Sequence, residues 1–365
     1  MELLFFTPWH PHPNNPTLGN FILRQVELLR QRHRVRLVGW TTEAAQKNLH
    51  IQEEGPDHLH LHLNGSSWRQ TRKAYAHLEH WVDAGTTPEV LVGCIPHQSG
   101  IWARRLRKRH PHAPLLYIEH WSGHLPERNT ALNLKQQVQL RAGLKHAQMA
   151  LPVSEQLGQR LHQRYGTPYQ VWRNPVDPTL FYPQAEKQFD FVHLSTLDPN
   201  KNPLAILRAF ARLLSRYPKA TLSIGGDGPI EPLCAEAQRL KVQPSVEVHG
   251  TLSYPEAARR IRLGRCLVQF SGYENLPCTI TEALTAGLWV VSSQVGGISE
   301  VVQPGENGTL VAAGDEEALQ AAMAQFLEAP ALPVVPYRES NPEHLLDQFD
   351  RVLHAVLMRK PPFRI

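Results

Sequence analysis

The stretch "RCLVQFSGYENLPCTITEALTAGLWVVSS", residues 265–293, holds the pattern on which the fold turns. An apolar run of strand length comes first. A loop containing Asn275 and Pro277 follows, then a short helical pattern, then a second apolar run. Both runs are nearly continuous rather than alternating, as expected of strands buried on two faces. Such a strand–helix–strand unit predicts a parallel sheet with helices on both sides.

The same alternation extends in both directions. Before the seam come "ELLFFT", "RVRLVGW", "HLHLHL", "EVLVGC", "PLLYIEH", "MALPVS" and "YQVWRN", separated by helical patterns such as "FILRQVELLRQR" and "IWARRLRKR". After it come "FDFVHLS", "ATLSIGG", "VEVHG", "RCLVQFS", "LWVVSS" and "GTLVAA". Two such series in 365 residues predict two doubly wound α/β domains, 1–175 and 176–335, with a proline-rich seam at "NPVDPTLFYPQAEKQ". A second Pro-rich linker, "APALPVVP", leads to a final helical segment within 336–365, expected to pack back toward the N-terminal domain. In two facing open sheets, ligands are expected in the crevice at the carboxyl ends of the strands.

Composition narrows the class. Apolar residues make up 42% and charged residues 19%, which suits a globular enzyme and not a disordered chain. The N-terminal "MELLFFTPWHPHP" lacks the pattern of a leader, and no run reaches the roughly 18–20 apolar residues of a membrane span. The four cysteines are scattered, so a reducing cytoplasmic setting without structural zinc is expected. Residues 1–175 carry 21 basic against 12 acidic side chains, whereas the remainder carries 17 against 21. The basic run "WARRLRKRHPH" is either a solvated helix face or a surface for anionic lipid or phosphate. No motif for nucleic acid accompanies it.

Glu274 and Glu282 flank the start of the short helix. Thr279 as N-cap would make Thr-x-x-Glu a capping box and explain Glu282 without a ligand. It would not explain Glu274. If the helix N-terminus points into a crevice, it forms an anion site between two carboxylates that can each bind hydroxyls. A sugar joined through phosphates to a nucleoside has that sequence of groups.

The stretch from Ser271 to Val311, with Glu-x7-Glu, Gly287, Gly296–Gly297, Glu300 and the Gly305–Gly308 turn, resembles the signature of the family 4 retaining glycosyltransferases. "TPWHPHPNNPTLGNF", "IEHWSG", "RNPVDPTLF", "STLDPNKNP" and "GGDGP" resemble further family segments. The resemblance implies the GT-B fold of two facing Rossmann-like domains and a nucleotide-sugar donor. It implies no cofactor and no metal, which the absence of Asp-x-Asp fits. By position, Glu282 would bind the ribose, Glu274 the transferred sugar and Lys201 the diphosphate. Gly19 would allow close approach to the donor, and His120 would lie beside the reacting sugar. Asn275, Leu276, Pro277, Cys278 and Thr279 would serve the sugar and phosphates through their backbone. Gly250 and Thr251 would lie near the base. His120, Glu274 and Lys201 would carry the chemistry. The expected acceptor is a carbohydrate or a lipid-linked glycan, in bacterial surface polysaccharide synthesis at the inner face of the cytoplasmic membrane.

Thr196 departs from the pattern, because an Arg is usual there. Arg173 would compensate, or donor binding would be weaker, or the protein would bind nucleotide sugars without turnover. A nucleotide-sugar epimerase on the same fold is a further alternative. Lys201 could instead be a surface lysine before a helix capped by Asn202, and His120 a strand-end histidine satisfied by backbone. "HLHLHL" reads as an edge or surface strand with its leucines inward, or as a zinc-binding His-x-His pair lacking a third ligand. "GGDGP" is either a phosphate cradle or a tight turn, and the loop with His10, His12, Asn14 and Asn15 either an acceptor dock or a connector. Trp289, standing where Pro is usual, reads as packing.

Overall fold

The computed structural model describes residues 1–12, 15, 17–42, 48–64, 67–125, 128, 132–329 and 334–358. Asn14 and residues 330–333 of the "APALPVVP" linker lie outside them. The chain forms two compact units. Unit 1 comprises 1–124, 129–175 and 342–365; unit 2 comprises 125–128 and 176–341.

Unit 1 contains β1 (Glu2–Thr7), α1 (Asn20–Arg30), β2 (Arg34–Thr42), β3 (His50–Glu53), β4 (His58–Leu63), α2 (Trp68–Ala84), β5 (Val90–Cys94), α3 (Pro96–Arg109), β6 (Leu115–Glu119), α4 (Leu134–His146), β7 (Met149–Pro152) and α5 (Glu155–Tyr165). The seven strands form one sheet in the order β3-β4-β2-β1-β5-β6-β7. All neighbours are parallel except β3, which pairs with β4 antiparallel. Leucine, valine and phenylalanine side chains from both faces of β1 and β5 feed two separate cores. That is why these strands read as unbroken apolar runs.

Unit 2 contains β8 (Phe189–Ser195), α6 (Pro203–Leu214), β9 (Leu222–Gly226), α7 (Glu231–Leu240), β10 (Val246–His249), α8 (Tyr254–Arg262), β11 (Gly264–Gln269), α9 (Cys278–Thr285), β12 (Trp289–Ser293), β13 (Gly308–Val311) and α10 (Glu316–Glu328). Its sheet order is β10-β9-β8-β11-β12-β13, with every pair parallel. The order reverses between β8 and β11, which marks the switch point where such sheets bind ligands.

The last helix, α11 (Pro342–Leu357), belongs to unit 1. Leu345, Leu346, Phe349 and Leu353 enter its core. The Trp172 indole donates to Leu345 O at 2.9 Å and packs its ring 5.2 Å from Phe349. Unit 2 runs to Asn341 rather than stopping at 335, because Tyr337 N–H bonds Leu284 O and Val176 N–H bonds Ser340 O.

Two local readings differ from the sequence expectation. "YQVWRN" makes only a single bridge, Tyr169 to Ala150, before running on as an extended segment. "HLHLHL" is neither edge nor surface: β4 lies between β3 and β2, and His60 is buried. The leucines do point into the core, but the histidine face is covered as well. His10 stacks 4.0 Å from His60, and His60 stacks 4.0 Å from His62. Among the described residues no group of three His, Cys, Asp or Glu could hold a metal ion, and no helix is long and apolar enough to cross a membrane.

Candidate functional site

In unit 2 the loops at the carboxyl ends of β8, β9, β11 and β12 are fastened to one another. Asn200 sits in a single 3-10 turn, Pro199–Lys201, started by Asp198, whose carboxylate accepts the Asn200 N–H at 2.9 Å. The Asn200 side chain then bonds the backbone of Tyr273 in both directions, at 3.0 Å each, and its carbonyl accepts from Gly272 N–H. This stitch places Lys201 beside Glu274, and the two side chains form an ion pair. Both are largely out of solvent, with side-chain exposures of 18% and 11%. Lys201 is therefore not a surface lysine. Asn202 begins α6 in a left-handed conformation without capping it; its amide goes to Phe270 O at 3.1 Å.

The Glu274 segment is held from its other side by Gly296. With φ at +56°, a Cβ there would lie 1.6 Å from Glu274 O, so only glycine fits. The next residue, Gly297, donates to Asn275 O at 2.7 Å. Across the switch point, Gln269 donates to Leu194 O and to Thr279 Oγ1 at 2.9 and 2.8 Å. Thr279 is thus occupied by Gln269 and does not cap α9. That helix starts from Pro277 with no side-chain cap, which corrects the capping-box reading of Glu282. Glu282 is 5% exposed within α9. A buried carboxylate in the first turns of an uncapped helix suits recognition of hydroxyl groups, and the backbone N–H groups at the helix start suit an anion.

Asn275 and Leu276 are buried in the same loop, with Pro277, Cys278 and Thr279 half-buried at the mouth of α9. The turn "GGDGP" abuts the β8 loop, with Asp227 N–H on Ser195 O at 2.9 Å. Thr196 is exposed and its hydroxyl donates to Asp198. His193 is fully buried under the site, bonded to Val268 O at 2.8 Å and Ser195 Oγ at 2.9 Å, and burial pushes its pKa down to about 4. Gly250 and Thr251 lie at the end of the edge strand β10, away from the Lys201–Glu274 pair in the strand order.

His120 and Gly19 belong to unit 1. His120 follows β6 directly. Its Nε2 lies 3.3 Å from Gln25 Oε1, its ring meets Phe21 edge-on at 4.7 Å, and burial lowers its pKa to about 4. A side chain, not backbone, holds this ring nitrogen. Gln25 is fully buried and donates to Asn174 Oδ1 at 2.9 Å, so the ring is fixed by residues from three segments. Beneath it, Glu119 accepts the N–H groups of His120 and Trp121 and faces His124 at 3.2 Å. Burial alone would raise this carboxyl, but the His124 contact and the backbone donors hold it below the usual range. Gly19, at φ +73°, starts α1, and its close approach is to Trp9 O, 2.3 Å from a Cβ placed there.

Sequence reading missed Asn200 and Gln25. The Asp-Pro-Asn-Lys-Asn-Pro run carried a signal for Asn200, since Asx residues at alternate positions bond nearby backbone. Gln25, a lone glutamine on an amphipathic helix, carried none.

Residues 181–342, essentially all of unit 2, match the family model described as glycosyl transferases group 1. Over 160 residues the chain is 29% identical to the sulfoquinovosyl transferase SQD2 of Arabidopsis thaliana, an alignment covering 40% of this chain and 31% of that protein. The chain thus spans about a third of the length of the curated relatives it matches first. Sucrose-phosphate synthase from Thermosynechococcus elongatus superimposes with a TM-score of 0.78 at 17% identity, over 98% of this chain and 100% of that one. Anabaena Alr3699/HepE in complex with UDP and glucose superimposes with a TM-score of 0.69 at 16% identity, over 97% and 99%. The fold is accordingly that of GT-B glycosyltransferases, two Rossmann-like α/β domains with parallel sheets.

Proposed function

We propose that this protein is a retaining, metal-independent glycosyltransferase that takes a nucleotide-sugar donor. The observation that carries the reading is the buried Lys201–Glu274 pair, stitched by Asn200 at the switch point of unit 2, with Glu282 on the adjoining uncapped helix. The group 1 match over these residues supports it, as does the UDP and glucose bound by a protein of the same fold.

Cleavage of the bond between the anomeric carbon and phosphate places positive charge on the sugar and negative charge on the leaving diphosphate. Lys201 and the amides at the start of α9 are positioned to stabilise the latter. Donor binding draws Lys201 toward the diphosphate and frees Glu274 for sugar hydroxyls, while Glu282 binds the ribose. Backbone of Asn275 to Thr279 serves the sugar and phosphates. Gly250 and Thr251 serve the base. His120, kept neutral by burial, hydrogen-bonds the reacting sugar, and Gly19 allows its loop near the donor. Retention follows from front-face attack assisted by the leaving phosphate.

The acceptor is a carbohydrate or lipid-linked glycan, and the setting is bacterial surface polysaccharide synthesis at the inner face of the cytoplasmic membrane. The basic helix α3 would rest on anionic lipid there. A second reading, a nucleotide-sugar binder without turnover, is favoured by Thr196 alone, since its hydroxyl serves Asp198 where the family has a phosphate-binding cation. Release of nucleoside diphosphate from a panel of donors decides between them. Turnover that persists with chelator and collapses in Lys201→Ala and Glu282→Ala supports the enzyme. Donor binding with no release in any pairing would leave only the binder.

A further inference from the structure

Unit 2 holds a cavity of 480 Å³ at the amino-terminal ends of β11, β12 and β13, the edge of the sheet opposite the Lys201–Glu274 pair. Trp289, Leu310, Phe326 and Val334 give it an apolar wall. Lys187 and Arg265 are the charged residues of the lining, which contains no carboxylate. The two cations differ. Arg265 is already balanced: it pairs with Asp190 at 2.7 Å and lies 5.3 Å over the Phe326 ring. Lys187 is half-buried and meets no carboxylate among the described residues. Its Nζ donates to Arg262 O at 2.9 Å, and burial lowers its pKa. A second donor of the wall, Trp289 Nε1, is shielded from solvent without an acceptor among the described residues.

Withdrawing an ammonium from water without an opposite charge costs free energy, which an arriving anion returns. Lysine has three donors, and the Arg262 carbonyl takes one of them. A carboxylate can accept the others in charge-assisted bonds. The wall decides the rest of the ligand. A sugar or a nucleotide would leave its hydroxyls facing Leu310, Phe326 and Val334 without partners, whereas a plain hydrocarbon would leave Lys187 unbalanced. With Arg265 already paired, one free cation suits one negative charge. The volume lies within the roughly 300–1,000 Å³ of small-molecule sites.

We infer that this cavity binds a small monocarboxylate, with its alkyl or aryl body against Trp289 and Phe326 and its carboxylate on Lys187. The site lies within unit 2, away from the loops that carry Lys201, Glu274 and Glu282, and does not depend on the transferase reading.

The test titrates the full chain with octanoate and phenylpropionate, and with their neutral amides, followed by saturation-transfer difference NMR. At least one carboxylate is expected to bind at millimolar concentration. It is expected to bind at least about tenfold more tightly than its amide, the scale of one charge-assisted hydrogen bond. In Lys187→Met, which removes the charge and keeps an unbranched apolar stem, the carboxylate is expected to lose that advantage. In Ala329→Trp, which fills the cavity and leaves Lys187 in place, both forms are expected to lose at least about tenfold in affinity. Thermal melts establish that each variant is folded. Binding of neither carboxylate, equal binding of carboxylate and amide by the wild type, or a preference unchanged in folded Lys187→Met would overturn the inference. Carboxylate binding that depends on Lys187, together with no diphosphate release from any donor, would remove the transferase reading and leave this site standing.

Discussion

The two sheets organise their carboxyl edges with different chemistry. In unit 2 the loops are fixed through contacts onto backbone: Gly296 presses on Glu274 O, Gly297 bonds Asn275 O, and the Asn200 side chain clasps the Tyr273 backbone. In unit 1 they are fixed by side chains. His10 leans on His60 and bonds His58 Nε2 at 3.0 Å, and His120 is steadied by Gln25. Backbone contact of the first kind tolerates few residue types, because an added Cβ has nowhere to go. Ring packing of the second kind tolerates many. The first unit is therefore free to vary its loops, while the second is bound to a recognisable pattern.

The hardest blow to this contrast is Gly296→Ala. The clash with Glu274 O and the left-handed backbone together are expected to cost about 3–5 kcal/mol, read as a lower urea midpoint for unit 2. A shift indistinguishable from wild type would mean that the loop is not held by that contact.

Acid should strike unit 1 through its stack. The buried His10 has a pKa lowered to about 4 by burial and His60 one of about 2, while the unfolded chain titrates near 6.5. The unfolded state takes up protons first, so the stabilisation is complete above pH 6.5 and is lost as pH falls toward 4. His10 alone accounts for about 3 kcal/mol of that loss. Unfolding curves between pH 7 and 4.5 measure it, and His10→Phe is expected to flatten them.

A hundredfold fall in diphosphate release, about 2.7 kcal/mol, is the expected result of Lys201→Ala. The variant also strands Glu274, so a Lys201→Met, Glu274→Gln double variant separates lost charge stabilisation from an unpaired carboxylate. The smallest effect concerns Thr196. Introducing a cation there with Thr196→Arg is expected to tighten nucleoside diphosphate binding by about tenfold, visible by calorimetry.

Much of the fold was legible because parallel strands buried on both faces leave nearly continuous apolar runs, as β1 and β5 do. "YQVWRN" misled for a related reason. Its one fully buried apolar side chain, Trp172, is covered by α11, which lies far along the chain. The histidines of β4 looked like a solvent face because histidine is polar, and nothing local to the strand foretells His10 covering it. At the site, Glu274, Lys201 and the glycines were legible as a pattern. Thr279 was misread as a cap because Gln269, which claims its hydroxyl, sits on the preceding strand.

The return of α11 to unit 1 bears on how the protein is made. Synthesis lays down residues 1–175 first, yet Trp172, Leu28 and Leu29 lack their covering side chains until Leu345, Phe349 and Leu353 emerge. Unit 2 carries every strand of its own sheet and can close while the ribosome is still working. The half translated first is thus the half completed last, and a nascent chain stalled before residue 342 would expose an open apolar seam to chaperones.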